Sequence, residues 1–342
     1  MQRRDDLAAD LDVVGIGNAI VDVIGPATVE ALADTGLAMG AMTLVDATRS
    51  DALYERMGPS VEMSGGSCAN SMAAVAAMGG RAGFIGRVRD DAFGRIFAHD
   101  CQATGVRFVN PPADRGAPTA RCLVFVHPDG QRTMATYLGA CVELGVQDLQ
   151  PKLVESAAVT LLEGYLYDRP AAKAACLEAA HLAHAKGRKV ALSLSDPFCV
   201  DRWRAEFRDL IAGHVDILFA NEAEILSLFE VETFDEAMQA IRGQVDIAAL
   251  TRGAKGSVVC GGDEVHVIDA ARVERVVDTT GAGDLYAAGL LRGLTQGLDL
   301  AASGRLAALA AGRIVQQYGP RAETPLAPLV AQANDPAAPL AA

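Results

Sequence analysis

Residues 278–284 read Asp-Thr-Thr-Gly-Ala-Gly-Asp, and an apolar run with helical character follows at residues 285–291. Two glycines before such a run predict a loop that turns into a helix, where free backbone amides and the helix dipole attract an anion. Asp284 lies at the edge of this predicted anion site, although a carboxylate repels anions. A base that takes a proton from a hydroxyl attacking phosphorus explains the carboxylate. A glycine cap followed by an acidic first-turn residue explains it too, so the heptapeptide alone leaves both interpretations open.

A second motif lies far upstream, where residues 65–70 read Gly-Gly-Ser-Cys-Ala-Asn and a small-residue helix pattern follows to Gly79. Phe84-Ile85-Gly86, Asp91 and Gly94 continue it. Together the two motifs resemble the signatures of the ribokinase-like (PfkB-type) carbohydrate and nucleoside kinases, from about residue 12 to about residue 321. The resemblance implies an α/β, three-layer fold with a mostly parallel central sheet flanked by helices and a small β-sheet lid.

Composition narrows the class of partner and compartment. The chain has 342 residues and a formal net charge of −13, which disfavours a nucleic-acid surface and fits a cytoplasmic protein acting on small molecules. No apolar stretch has the length of a membrane span, and residues 1–6 lack the apolar core of a signal peptide. The seven dispersed cysteines form no C-x-x-C pair and are expected to be reduced. We expect a monomer or homodimer.

The two halves of the chain differ in how strand and helix patterns alternate. From residue 159 to residue 318, short apolar strand patterns alternate with helix patterns, which predicts a mostly parallel sheet covered by helices. Upstream, strand patterns at residues 119–126 and 132–137 flank the turn sequence Pro128-Asp129-Gly130. Such hairpins do not fit the alternation, and they predict a small sheet separate from the main one.

The family resemblance implies that this small sheet is a lid over the substrate. We expect it to be contributed by about residues 20–46 and 106–137. A single kinase domain is expected over residues 1–325. The remaining residues, 326–342, are rich in alanine and proline and are expected to form a partly disordered tail.

Phosphoryl transfer requires positioning and charge stabilisation more than covalent chemistry. The resemblance implies that Asp284 is the base and that the amides of Gly281, Ala282 and Gly283 form the anion hole. It also implies that Arg132 neutralises the transferring phosphate, as an arginine at a similar place does in nucleoside kinases of the family. Considered alone, Arg132 is more typical of a surface arginine after a turn.

The substrate side is predicted at Gly15-Ile16-Gly17-Asn18 and at Asp22. Asparagine and aspartate just after a strand suit a polyol, because each forms hydrogen bonds with hydroxyls. A dinucleotide fingerprint is the alternative, but Ile20 stands where its third glycine belongs. By resemblance, five residues contact substrate hydroxyls: Asn18, Asp22, Gly65, Gly66 and Asn70.

The ATP and metal side is predicted in the second half. Asn221-Glu222-Ala223-Glu224 has the pattern of a capped helix start, and the resemblance implies that Asn221 and Glu224 serve Mg²⁺ and the phosphates. The segment at Thr251, Gly253 and Gly256 resembles the family's nucleotide loop and lacks the Walker A spacing. Asp278 and Thr280 resemble a monovalent-cation site, for K⁺, and residues 319–321 resemble its other wall.

These assignments predict an ATP- and Mg²⁺-dependent kinase acting on a hydroxymethyl group of a nucleoside or sugar. Gly17-Asn18-x-x-x-Asp22 looks more like the adenosine kinases of the family than like the ribokinases, so adenosine is the expected acceptor, phosphorylated on its 5′ hydroxyl. A sugar kinase for ribose, fructose or a sugar acid is the alternative. A non-catalytic sugar-binding regulator is disfavoured, because it needs no base at Asp284.

Overall fold

A computed structural model describes residues 9–28, 32–127 and 131–342. Within them, the strands are, in chain order, β1 (Leu11–Ile16), β2 (Ile20–Pro26), β3 (Met42–Leu44), β4 (Val61–Gly65), β5 (Ala82–Ile85), β6 (Arg107–Phe108), β7 (Ala120–Val126), β8 (Arg132–Tyr137), β9 (Ala157–Glu163), β10 (Lys189–Ser193), β11 (Ile217–Asn221), β12 (Ile247–Thr251), β13 (Ser257–Gly261) and β14 (Glu264–Ile268). The α-helices are α1 (Ala47–Tyr54), α2 (Ser67–Ala77), α3 (Ala92–Ala103), α4 (Pro151–Ser156), α5 (Pro170–Ala185), α6 (Pro197–His214), α7 (Glu222–Phe229), α8 (Phe234–Ile241), α9 (Ala282–Gln296), α10 (Leu300–Ile314) and α11 (Ala327–Asn334).

The large sheet has nine strands in the order β14-β13-β12-β11-β10-β9-β1-β5-β6. From β6 to β12 every neighbouring pair is parallel, whereas β13 and β14 are added antiparallel at one edge. The interior strand β1 is buried along its whole length, as its apolar sequence predicts for a strand covered on both faces. The predicted mostly parallel sheet is therefore confirmed.

Helices cover both faces of the large sheet, which gives three layers. Val13 of β1 belongs to one hydrophobic core and the next residue, Val14, to the other, because successive side chains point to opposite faces. The first core includes residues of α2, α9 and α10, and the second includes residues of α5, α6 and α7. None of the helices in the described part of the chain has the length and apolar character of a membrane span.

The small sheet has five strands in the order β3-β8-β7-β2-β4 and is separate from the large one. Its segments differ from the prediction in two places. Val61–Gly65 is a strand of the small sheet and was not predicted there, whereas Arg107–Phe108 pairs with β5 in the large sheet. Two-residue strands and polar edge strands have too little periodicity to be assigned from sequence. The turn predicted at residues 128–130 lies outside the described residues.

The C-terminal segment is more ordered than its composition predicts. Residues 327–334 form helix α11, which begins with a proline in its first turn. Leu326, Leu329 and Ala333 are buried in the core that includes α10. The expectation of partial disorder is therefore wrong for this helix, because alanine-rich sequence is also good helix sequence once an apolar face is buried.

Candidate active site

A cavity of about 1180 Å³ lies where the small sheet faces the carboxyl ends of the large-sheet strands. Parallel α/β sheets bind ligands at this edge. Of the residues predicted from sequence, the cavity is lined by Asn18, Asp22, Gly66, Asn70, Arg132, Asn221, Glu224, Thr251, Gly253, Thr280, Gly283 and Asp284. The predicted residues Gly65, Asp278, Gly281 and Ala282 are close neighbours in sequence of these, and Gly256 lies away from the cavity in the turn between β12 and β13.

The predicted loop-to-helix transition is present at Gly281. Gly281 is the N-cap of α9 and adopts φ +80°, a left-handed conformation that glycine favours. A Cβ at this position would also lie 2.8 Å from the Cβ of Pro320. Gly283 and Asp284, in the first turn of α9, line the cavity, whereas the Ala282 amide donates to the Thr279 carbonyl at 3.1 Å. Amides and dipole at one helix start can stabilise a developing negative charge.

Asp284 is held by the upstream motif, more than 200 residues away in sequence. The hydroxyl of Ser67 donates to its Oδ1 at 2.6 Å, and the Nδ2 of Asn70 donates to its Oδ2 at 3.0 Å. Ser71 Oγ donates to the backbone carbonyl of Asp284 at 3.0 Å. Burial raises the pKa of the Asp284 carboxyl, and these donors and Arg321 oppose that rise. Ser67 was quoted in the motif but not predicted as a site residue.

The two upstream glycines allow the backbone to approach the predicted substrate residues. A Cβ on Gly65 would lie 2.3 Å from Oδ2 of Asp22. Gly66 has φ +96°, and its Cβ would lie 2.2 Å from the carbonyl oxygen of Asn18. Burial raises the pKa of Asp22 to about 7, although Arg321 and Arg132 lower it. The Asp22 carboxylate is therefore poorly solvated, and a hydrogen bond from a ligand hydroxyl would stabilise its charged form.

Glu163, at the end of β9, is a cavity residue that the sequence reasoning missed. Its carboxylate accepts hydrogen bonds from Asn18 Nδ2 at 2.6 Å and from the Cys68 amide at 3.0 Å. Burial raises its pKa to about 7, and these donors oppose the rise. Glu163 therefore connects the segment at residues 15–18 with the motif at residues 65–70. A glutamate directly after an apolar strand pattern was the signal that could have identified it.

Arg132 is buried and pairs with Asp278, so it is not the surface arginine that its turn position allowed. Its Nη2 lies 3.0 Å from Asp278 Oδ2. The same carboxylate accepts from the Gly319 amide at 2.9 Å and from Thr280 Oγ1 and N at 2.7 and 3.0 Å. Burial raises the Asp278 pKa, but these donors outweigh it and lower the pKa overall. Three donors and a guanidinium therefore surround the side-chain carboxylate of Asp278, and the monovalent-cation site stays a prediction.

Asn221 and Glu224 form a reciprocal cap at the start of α7. Asn221 Nδ2 and N donate to the two Glu224 oxygens at 2.6 and 2.9 Å, and the Glu224 amide donates to Asn221 Oδ1 at 2.9 Å. Burial raises the Glu224 pKa to about 7. One donor from Asn221 reaches each carboxylate oxygen and both residues line the cavity, so the pair fits a divalent cation held through water. No group of three or more metal-ligating side chains occurs among the described residues.

Two aromatic rings form a part of the cavity wall that the sequence reasoning did not predict. Tyr165 follows β9 and is 41% exposed, and Phe198, in the first turn of α6, is 72% exposed. Both line the same cavity as Asp22 and Asn70. Large rings exposed inside a cavity can cover a flat apolar ligand group.

The chain matches the model of the pfkB family carbohydrate kinases over residues 12–327. It is 50% identical to an adenosine kinase from Sinorhizobium meliloti, with a TM-score of 0.86 over 95% of this chain and 100% of that chain. It is 48% identical to a probable sugar kinase protein from Rhizobium etli CFN 42, with a TM-score of 0.87 over 95% of this chain and 99% of that chain.

Among curated proteins, the chain is 29% identical to fructokinase-1 of Oryza sativa subsp. japonica, over 69% of this chain and 75% of that protein. Proteins named for a nucleoside acceptor and for sugar acceptors thus occur together among the similar proteins. The shared chemistry in their names is phosphorylation of a small alcohol, which agrees with the carboxylate placed beside the first-turn amides of α9.

Proposed function

Because the chain belongs to the PfkB family of carbohydrate kinases, we propose that it transfers the γ-phosphoryl group of ATP to the 5′ hydroxyl of a ribonucleoside, with adenosine as the preferred acceptor. The observation that carries the nucleoside is the aromatic wall, formed by Tyr165 and Phe198 in the cavity that holds Asp22. A planar base gives these rings a stacking partner. Free ribose, fructose and sugar acids have none.

The ribose would lie between the small sheet and helix α2. Asn70 Oδ1 is buried and has no hydrogen-bond partner, although its Nδ2 donates to Asp284. Asp22 faces the same cavity from the small sheet. Two neighbouring acceptors of this kind suit the two vicinal ribose hydroxyls, whose O–H groups donate. With those hydroxyls held, the 5′ hydroxyl points toward Asp284, and the small sheet acts as a lid.

In this assignment Asp284 takes the proton of the attacking hydroxyl. Ser67 and Asn70 fix the orientation of its carboxylate. Burial raises its pKa toward the pH at which the enzyme works, where a general base is most effective. The amides of Gly281 and Gly283 hold charge that develops on the transferred group, whereas the predicted third donor, the Ala282 amide, already donates to the Thr279 carbonyl. Arg132 supplies a further positive charge from the small sheet. Mg²⁺, held near Glu224 and Asn221, neutralises phosphate charge when it is bound.

An acceptor panel tests this function. Purified protein is incubated with ATP, Mg²⁺ and either adenosine, another nucleoside, ribose, fructose or a sugar acid, and ADP formation is measured. We expect kcat/KM to be highest for adenosine. Higher kcat/KM for a sugar would reject the nucleoside acceptor and leave the kinase standing. That sugar kinase is the second candidate, favoured by the similarity to the rice fructokinase.

Phe198→Ala tests the aromatic wall directly. It is expected to lower kcat/KM for adenosine by about 10-fold, since losing one stacking face costs roughly 1–3 kcal/mol. Activity on a poor sugar acceptor should change little. Leu177→Ala is the matched control, because Leu177 is an exposed apolar residue that does not line the cavity. Equal effects of the two variants on adenosine would contradict the stacking role.

Glu224→Gln tests the metal side. It is expected to raise the Mg²⁺ concentration needed for half-maximal activity, because a carboxylate attracts the cation directly or through metal-bound water and an amide does not. Glutamine keeps one of the two hydrogen bonds from Asn221 and the bond from its own backbone amide to Asn221 Oδ1, so most of the helix cap is retained. Glu236→Gln is the control, because Glu236 has the same capping role at α8, away from the cavity. Unchanged Mg²⁺ dependence in Glu224→Gln would leave this residue as a helix cap only.

A further inference from the structure

The tripeptide Gly319-Pro320-Arg321 contacts both halves of the active site. The Gly319 amide donates to Asp278 Oδ2 at 2.9 Å, and Pro320 packs against Gly281 at the start of α9. Arg321 reaches the other way, to the segment that precedes Gly65 and Gly66. The three residues thus connect the loop at residues 278–281 with the junction of β4 and α2 at residues 64–66.

Arg321 makes its contacts with a planar fork of donors. Its Nη2 donates to the Ser64 carbonyl at 2.6 Å and to Ser64 Oγ at 2.8 Å, and its Nε donates to the same carbonyl at 3.2 Å. Its Nη1 donates to the Ala69 carbonyl at 3.3 Å. Ser64 is fixed from its other side by Asp100, which accepts from the Ser64 amide at 2.7 Å and from its hydroxyl at 2.6 Å. Lysine could not reproduce this arrangement.

The guanidinium also lies close to the carboxylates of the site. It is the strongest positive influence on Asp22 and it lowers the pKa of Asp284, against the effect of burial in both cases. The other titratable groups that interact with Asp284 are the carboxyls of Asp22 and Glu163, the Cys68 thiol and the Tyr165 hydroxyl. Arg321 is absent from the cavity lining, so it acts on the ligand through other residues.

We propose that Arg321 is a positioning residue that holds the junction of β4 and α2, at Ser64–Gly66, for the acceptor and favours the ionised form of the base Asp284. This inference rests on the proposed kinase function. The fork sets the position of this junction, whose glycines contact Asp22 and Asn18. The charge lowers the proton affinity of Asp284, against the larger effect of burial. These two effects belong to different properties of one side chain, so substitutions can separate them.

Arg321→Met removes both properties, and Arg321→Lys keeps the charge. Methionine is expected to raise KM for the acceptor about 10- to 100-fold, because displaced binding groups cost this much. It should also move the acid limb of the pH profile of kcat/KM to higher pH, since Asp284 then loses a positive neighbour and protonates more readily. Lysine should raise the acceptor KM while leaving the acid limb close to that of the wild type.

Arg292→Met is the matched control. Arg292 is a largely buried arginine that pairs with Asp12 and donates to the Met78 carbonyl, away from the cavity. It should lower thermal stability without moving the acceptor KM or the acid limb. A wild-type acceptor KM and acid limb in Arg321→Met, or equal shifts in Arg292→Met, would overturn the proposal. If Arg321→Met fails to fold, a wild-type acceptor KM in Arg321→Lys would overturn it.

A readout without turnover separates this inference from the proposed function. The Asp284 carboxyl can be titrated by ¹³C NMR and assigned through the signal lost in Asp284→Asn. Its pKa should be higher in Arg321→Met than in the wild type even if no acceptor is phosphorylated. If the wild-type protein phosphorylates an acceptor but the Asp284 pKa in Arg321→Met equals the wild-type value, the charge role is rejected and the kinase function stands. If the wild-type protein phosphorylates no acceptor but the Asp284 pKa is higher in Arg321→Met, the kinase function is rejected and the charge role stands.

Discussion

Asp284→Asn is expected to lower kcat by about 10²- to 10⁴-fold, the usual cost of losing a general base. Asparagine is nearly isosteric with aspartate but cannot take the proton of the attacking hydroxyl. The asparagine oxygen can still accept from Asn70 Nδ2, and its amide nitrogen can donate to the Ser67 hydroxyl, so ATP binding and folding should stay close to wild type. Initial rates at saturating adenosine and ATP, with thermal unfolding measured in parallel, check this result.

The control for that substitution is Asp299→Asn. Asp299 begins the next helix, α10, where its side chain accepts from the Ala302 amide at 2.7 Å. Asparagine is an equally good cap, so this variant should retain wild-type kcat. The role of Asp284 as base is rejected if Asp284→Asn turns over as fast as Asp299→Asn. Loss of activity in both variants would indicate a general effect of the substitution on folding.

The second large effect is expected when the 2′ hydroxyl of the substrate is removed. We expect 2′-deoxyadenosine to have a kcat/KM roughly 10- to 100-fold below that of adenosine, because a buried polar group left unpaired costs about 1–3 kcal/mol. Asp22 is the group left unpaired in the proposed complex. Burial has already raised its pKa to about 7, so it has little solvent to replace the lost hydroxyl.

Asp22→Ala should erase most of that difference between the two nucleosides. It lowers activity on adenosine and leaves activity on 2′-deoxyadenosine nearly unchanged, so the ratio of the two kcat/KM values approaches one. Asp114→Ala is a suitable control, because Asp114 is an exposed carboxylate outside the cavity. A ratio that stays at its wild-type value in Asp22→Ala would show that another group recognises the 2′ hydroxyl.

Local sequence was enough for the elements on which the site is built. The glycines and apolar run at residues 278–291 predicted a loop and a helix, and Gly281 is the N-cap of α9. The alternation of strands and helices predicted a mostly parallel sheet, and the resemblance of two motifs implied the PfkB family, which is confirmed. These features depend on the backbone conformation and hydrophobic periodicity of short segments, so each can be predicted from local sequence.

Contacts between distant segments were not readable in that way. The pairing of Ser67 with Asp284 joins residues 217 positions apart, and Glu163 meets Asn18 across 145 positions. From sequence, Tyr165 and Phe198 are typical of core aromatic residues, but in the structure both are exposed and line the cavity. The burial of Arg132 against Asp278 depended on how the small sheet faces the large one.

The sequence by itself therefore determined the fold class, the family and the chemistry expected at Asp284, because each rests on a local pattern of residues. Only the tertiary structure decided which side chains surround that carboxylate, which donors surround Asp278, and that Arg321 connects the two halves of the site. The physical reason is that hydrogen-bond geometry and desolvation depend on three-dimensional distance, and the order of residues along a chain does not specify that distance.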